Sequence, residues 1–395
     1  MGLTNKGARC GILGLLCVAV PGAAGAAPML NISPHLDLLY DSNIARSSQE
    51  LAEERGLHQS DFRASPGLAI DLEKPFGNQS LFLTGDVGYD FYARNHRLNS
   101  ARVLLDGGVN YRFSRCTGAL TGDLRIRQSQ LEEFLDAGPV KNIEYFRKVG
   151  LSARCGGPIG LAPFASVARS WSSNSSSLRD FADYTMNEAS GGIAYTRPTF
   201  GELSVVATVR KSKYTHREGL NLSEGYKVFS IGGRYSRDIG SRLKGSVGVF
   251  RTTVDPGSGF GKFSGVTTDA SLDALIGANL QAHLSWTRDI EPVTLGLGSF
   301  EVDNRLDLRS TYALSPRLSL GAGGGLVRRH VNGDVVFPVA QIDTERRWYA
   351  FTSLTYHRSA RTAIDLQFRR EQRRADPSIF NYNSTSVGLN FRLNF

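Results

Sequence analysis

The chain has 395 residues, with 46 Lys and Arg against 37 Asp and Glu, a formal net charge of +9 and a mean hydropathy of -0.22. That mean is too polar for a helical membrane protein, although 10% of the residues are aromatic and 43 are glycine. Length alone would give two soluble domains, but a single all-β barrel of this size is equally allowed.

Residues 1–26 read as a secretory signal peptide. Lys6 and Arg9 form the basic n-region, GILGLLCVAV (11–20) the apolar stretch, and Ala24-Gly25-Ala26 the small-residue cleavage pattern. The apolar run is ten residues, half of the roughly 20 that a membrane anchor needs. Leu16 before Cys17 is too bulky for a lipoprotein signal. Cleavage after Ala26 removes two cations and no acid, leaving a net charge of +7 on the mature domain 27–395.

From there the chain alternates apolar and polar residues with period two, the signature of strands with two unlike faces. In LFLTGDVGYDF, Leu81, Leu83, Val87, Tyr89 and Phe91 oppose Phe82, Thr84, Asp86 and Asp90. VLLDGGVNYRF, RLDLRSTYAL and AIDLQFRR repeat the pattern, and SVGLNFRLNF carries it to the last residue. About eighteen such segments recur at a spacing near 20 residues, with short and long connections alternating; sixteen strands is the nearest alternative. Short turns are read at KPFGNQ, SRCTG, RPTFG, RDIGS, LSPR and RSAR. Long connections are read at 41–60, 130–144, 172–185, 214–224, 253–265, 329–343 and 371–381.

This predicts a transmembrane antiparallel β-barrel with short periplasmic turns and long extracellular loops, in the bacterial outer membrane. Its environment is outer-membrane lipid. Phe391, Leu393 and Phe395 are the expected C-terminal signal to the barrel-assembly machinery, because the last strand must close against the first, near residues 29–40. Tyr40, Tyr92, Trp171, Tyr214, Tyr226, Trp348 and Tyr382, beside the long loops, are read as an interfacial girdle. Two loops carry short helix signals: Ser47 with Glu50 before Gly56, and Ser129 with Glu132 before Gly138. These helices are expected on the external rim or folded into the pore.

Outside the signal peptide the only cysteines are Cys116 and Cys155. Both fall at the periplasmic rim on adjacent strands, where a disulfide is allowed if the Cα atoms come within about 7 Å; two free thiols are the alternative. No catalytic motif is present, and the seven histidines show no metal-ligand spacing. Neither an enzyme nor a cofactor is expected. GSGFGK (257–262) lacks the Ser or Thr of a phosphate loop. Nucleic acid is not an expected partner for an exported barrel with dispersed charge.

Of the 46 cations 37 are arginine. Alternation assigns Arg112, Arg125, Arg127, Arg210, Arg234, Lys244, Arg305, Arg309 and Arg369 to the lumen, facing Asp86, Asp90, Asp106, Asp123, Asp307 and Asp365. Eighteen strands leave an aqueous channel, and an arginine-rich wall selects anions. A self-neutralising Arg–Asp lattice is the competing reading.

LDLLYDSNIARSS (36–48) and the segment DFRASPGLAIDLEKPFGNQSLFLTGDVGYDFY (61–92) resemble the EpsL-like family of β-barrel porins associated with exopolysaccharide biosynthesis operons. The resemblance implies an outer-membrane pore for a secreted polysaccharide, an acidic one given the arginines, working with periplasmic polysaccharide-export proteins. A general diffusion porin for small anionic solutes and a structural or adhesive surface barrel are the alternatives. Within Tyr40-Asp41-Ser42-Asn43, Asp and Asn are read as caps of the turn leaving the first strand rather than as ligand contacts.

The signal-peptide reading predicts a mature N-terminus at Ala27. Mass spectrometry of protein purified from membranes checks it, and a retained 1–26 segment would refute it.

Overall fold

The computed structural model describes residues 29–129, 131, 140–218, 222–257, 260–293, 298–332, 344–376 and 378–394. The segment read as a signal peptide and Phe395 lie outside the described residues. Eighteen antiparallel strands follow in chain order. They are β1 (Met29–Asp41), β2 (Asp61–Phe76), β3 (Gln79–Tyr92), β4 (Ser100–Phe113), β5 (Cys116–Gln128) and β6 (Ile143–Cys155), then β7 (Gly160–Asn174), β8 (Tyr184–Arg197), β9 (Gly201–Tyr214), β10 (Gly225–Ile239), β11 (Leu243–Asp255) and β12 (Phe263–Ile276). The last six are β13 (Leu280–Glu291), β14 (Phe300–Ser315), β15 (Leu318–Asn332), β16 (Thr344–His357), β17 (Thr362–Asp376) and β18 (Tyr382–Leu393). Each strand pairs with its sequence neighbour, and β1 also pairs with β18, from His35 opposite Arg392 to Asp41 opposite Ser386. The sheet is therefore closed and has no edge.

Period two sets the faces. Leu68, Val87, Leu151, Val205, Val249, Leu308 and Leu366 stand exposed on the outside, an apolar surface that only lipid can cover. Phe391 and Leu393 share that face, 38% and 45% exposed. Charged and small residues of the alternate parity point inward. Eight short turns close one end of the barrel, two of them (155–160 and 276–280) beyond the six read from sequence. In the two-residue turn between β2 and β3, Gly77 takes φ 60°, a left-handed conformation that costs glycine little.

The other end carries nine longer connections, including 93–99 and 292–299, which the sequence reading passed over. The first holds α1 (Gln49–Glu54), capped by the Ser48 side chain accepting from Leu51 N, so the cap is one residue later than Ser47. The second helix signal, over 129–138, lies largely outside the described residues.

The girdle needs correction. Tyr40, Trp171 and Trp348 do face outward, but Tyr92, Tyr214, Tyr226 and Tyr382 are buried on the inner side. Nearness to a strand end does not fix a face; parity along the strand does.

Cys116 and Cys155 are register partners on β5 and β6, with Cα atoms 4.0 Å apart, and are disulfide-bonded. A bridge across their 39-residue separation constrains the unfolded chain by about 3–4 kcal/mol. Replacing both cysteines by serine is expected to lower the temperature at which the barrel loses its compact migration in detergent gels. An unchanged transition would show that the bridge adds nothing to the β5–β6 ladder.

Candidate functional site

Every lumenal residue named from sequence faces the barrel interior, but the ion pairs divide them into distinct groups. Arg125 bonds Asp123 at 2.6 Å, Arg127 bonds Glu144 at 3.2 Å and Arg234 bonds Asp269 at 2.7 Å. Arg210 is buried, held by Glu188 at 3.0 Å, Asp289 at 3.4 Å and the Ile290 carbonyl at 2.6 Å. It is a structural tie rather than a surface for solute. Arg112 and Lys244, near the periplasmic ends of β4 and β11, are exposed and have no ion-pair partner among the described residues.

Arg305, Arg309 and Arg369 follow the geometry of Arg125 rather than the cross-strand pairing of Arg127, Arg210 and Arg234. Each binds an acid two residues away on its own strand: Asp303 at 2.7 Å, Asp307 at 2.8 Å and Glu371 at 2.6 Å. Residues at i and i+2 share a face, which makes such a pair local and cheap to form. Burial then separates the partners. The arginine side chains are 55%, 59% and 34% exposed, while their acids are 9%, 12% and 8% exposed. Carboxylates lie against the wall, where they orient the guanidinium groups, and the cationic tips project into the channel.

Neighbouring strands complete the arrangement. Arg309 and Arg369 occupy one register row through Gly323 and Phe351. The Tyr349 hydroxyl donates to Asp307, its ring lies 4.1 Å from the Arg369 guanidinium carbon, and Tyr382 donates to Glu371 at 2.6 Å. A Cβ on Gly325 would come within 2.7 Å of the Tyr349 ring, so glycine there lets the ring lie flat on the wall. Tyr349 carried no signal in sequence, whereas alternation placed Arg305, Arg309 and Arg369 on the inner face.

Most of the other acids named from sequence are also engaged. Arg102 clamps Asp86 at 2.9 Å and Asp90 at 2.7 Å, and Thr355 donates to Asp365 at 2.6 Å. Asp106 stands opposite Asp123 in the ladder, and its carboxylate has no hydrogen-bonded partner among the described residues.

Two inward segments narrow the extracellular mouth. On one side α1 buries Leu51 and Ala52; Leu51 packs on Phe380, and Arg55 donates to the Leu131 carbonyl at 3.3 Å. On the other, the β13–β14 hairpin bends inward. Ile290, Phe300 and Val302 have the parity of outward residues, yet are 0%, 1% and 5% exposed and pack with inward-facing Tyr214, Tyr226, Val228 and Val254. Tyr214 fastens the tip, donating to the Ser299 carbonyl at 3.1 Å and accepting from Val293 N at 2.9 Å. Arg217, fully buried, stacks 3.4 Å from the Tyr214 ring centre and donates to the carbonyls of Phe181 at 2.8 Å and Gly298 at 2.7 Å. Burial pushes its guanidinium below the ordinary arginine value, and the Tyr214 ring opposes that shift.

No family model matches the chain, and no curated protein matches it. Solved structures do. Pseudomonas aeruginosa OccK2 (OpdF) is similar with a TM-score of 0.50 and 14% identity, over 93% of this chain and 97% of that one. The same protein in complex with glucuronate gives a TM-score of 0.48 and 14% identity, over 93% and 98%. A BenF-like porin from Pseudomonas fluorescens gives 0.47 and 13% identity, over 93% and 99%. The fold is that of an outer-membrane porin. In this barrel the first loop and the β13–β14 hairpin narrow the mouth, and the more exposed lumenal cations stand on β4, β5, β11, β14 and β17.

Removing the Arg217 side chain strands the Phe181 and Gly298 carbonyls, at a local cost of about 1–3 kcal/mol. Arg217→Ala is expected to loosen the hairpin and raise single-channel conductance and its noise in planar bilayers. A quiet trace of wild-type amplitude would show that the hairpin is held without it.

Proposed function

We propose that the protein is a porin for small anionic solutes. The carrying observation is the unequal burial of the Arg305, Arg309 and Arg369 ion pairs, which leaves cationic tips in the channel and their acids against the wall. Arg112 and Lys244 extend the positive surface towards the periplasmic end. Several weak sites in a water-filled lumen attract an anion without trapping it, the condition for conduction. The narrowed mouth also supports a small solute over a threaded polymer. Export of an acidic exopolysaccharide, with periplasmic export proteins as partners, is what the resemblance to the EpsL-like family implied, and no contact in the barrel favours it over the diffusion porin.

Planar-bilayer reversal potentials in a salt gradient test this. A guanidinium about 7 Å from a monovalent anion in water contributes about 0.6 kcal/mol, so Arg309→Ala with Arg369→Ala is expected to lower anion-over-cation selectivity by up to about sevenfold at low salt. Unchanged selectivity would refute the role of these arginines. Block of the current by an acidic polysaccharide, and not by its monomer, would favour the export reading instead.

A further inference from the structure

The outer wall carries cations as well, and one group of them has no internal explanation. Arg288, Asn304, Arg328, Arg346 and Arg374 come from five successive strands, β13 to β17, and are direct register partners in turn. All have the outward parity of Leu284, Leu308, Leu320, Leu354 and Leu366. Arg328 thus stands opposite Arg346, and Arg346 opposite Arg374. Like charges directly across a ladder repel, and side chains there sit about 5 Å apart at Cβ.

Inside the barrel such repulsion is relieved by an acid beside nearly every arginine. Outside it is not. Arg328, Arg346 and Arg374 are exposed, and none of the row has a carboxylate within ion-pair distance among the described residues. Arg288 bonds only the Asn304 amide oxygen, at 3.2 Å, and Arg374 reaches the Arg373 carbonyl at 3.2 Å and the Asn383 amide oxygen at 3.5 Å. Asp376 lies two residues farther out on β17 and forms no ion pair with the row.

One register step towards the membrane lies a second row: Trp286, Leu306, Leu326 and Trp348. Trp286 and Trp348 are 40% and 36% exposed, and indole rings settle at the level of lipid headgroups. The arginines therefore stand just above the hydrocarbon boundary on the extracellular side, over an apolar shelf. Unpaired guanidinium groups above apolar surface complement an anionic amphiphile, and guanidinium forks match phosphate oxygens two at a time.

We propose that this row binds the phosphorylated headgroup of an outer-leaflet glycolipid, with its acyl chains on the Trp286–Trp348 shelf. The site is separate from the lumen and does not depend on what the channel conducts. Bound phosphate would neutralise the opposed arginines, so the lipid completes this part of the wall.

Native mass spectrometry of the purified barrel in detergent doped with diphosphoryl lipid A tests the proposal. The wild type is expected to retain the lipid, and Arg328→Gln, Arg346→Gln and Arg374→Gln together to weaken retention by about tenfold, as loss of charge-assisted bonds requires. Arg112→Gln, a lumenal change, should leave it unaltered. The wild type alone gives a second reading: fully dephosphorylated glycolipid should be retained at least about tenfold less well. Inorganic phosphate at millimolar concentration should not displace the lipid, and displacement would overturn a lipid-specific site in favour of a plain anion site. Equal retention by the triple variant, or of the dephosphorylated lipid, would overturn the proposal.

Discussion

Every backbone N–H and C=O that crosses hydrocarbon must find a partner within the protein, and here that requirement closes a sheet of eighteen strands between its first and last members. The seam is fastened at the extracellular end by the last residue of β1 and those that follow it. Asp41, fully buried, accepts from Ser384 at 2.6 Å, from Asn43 N at 2.8 Å and from Arg46 at 2.8 Å. Ser42 exchanges bonds with Thr385 across the seam at 3.0 and 2.9 Å. The Asp-Ser-Asn segment thus serves closure and turn capping. Its polar groups are spent on the protein itself, which leaves little for a ligand.

Closure makes an inside and an outside, and arginine is used differently on each. Inside, acids are at hand on the same or a nearby strand, and at Arg305, Arg309 and Arg369 the wall buries the acid more deeply than the guanidinium. Along β14 and β17 the surface that a solute meets is therefore positive although each of these arginines is paired. Outside, the hydrocarbon band disfavours charge, and long cationic side chains near its edges reach water or headgroups. There the sheet places arginines side by side with no acid to separate them.

The mouth follows from the same accounting of polar groups. A hairpin bent inward would strand its carbonyls and amides, and Arg210, Tyr214 and Arg217 supply the partners from β9 and the loop after it. Its apolar side chains gain burial against Tyr226, Val228 and Val254. This side of the constriction is thus built from one wall of the barrel and a single hairpin.

Strand existence, number and face were legible in the sequence because period two is a local property that a half-buried strand cannot avoid. So were the barrel class, the location in the outer membrane, the Cys116–Cys155 adjacency and the residues of the inner wall. The resemblance to exopolysaccharide porins reached no further than the fold. Register lay outside local reach. Arg288, Arg328, Arg346 and Arg374 are scattered along the chain and become neighbours only when four hairpins align. Ile290 and Val302 read as lipid-facing until the hairpin rolls them against the inner wall, and four of seven rim aromatics turned inward with the parity of their strands. Which partner of an Arg–acid pair is exposed depends on rings such as Tyr349 arriving from another strand. Alternation is written residue by residue, whereas burial depth and cross-strand company depend on contacts between segments far apart in the chain, and only the closed barrel makes those contacts.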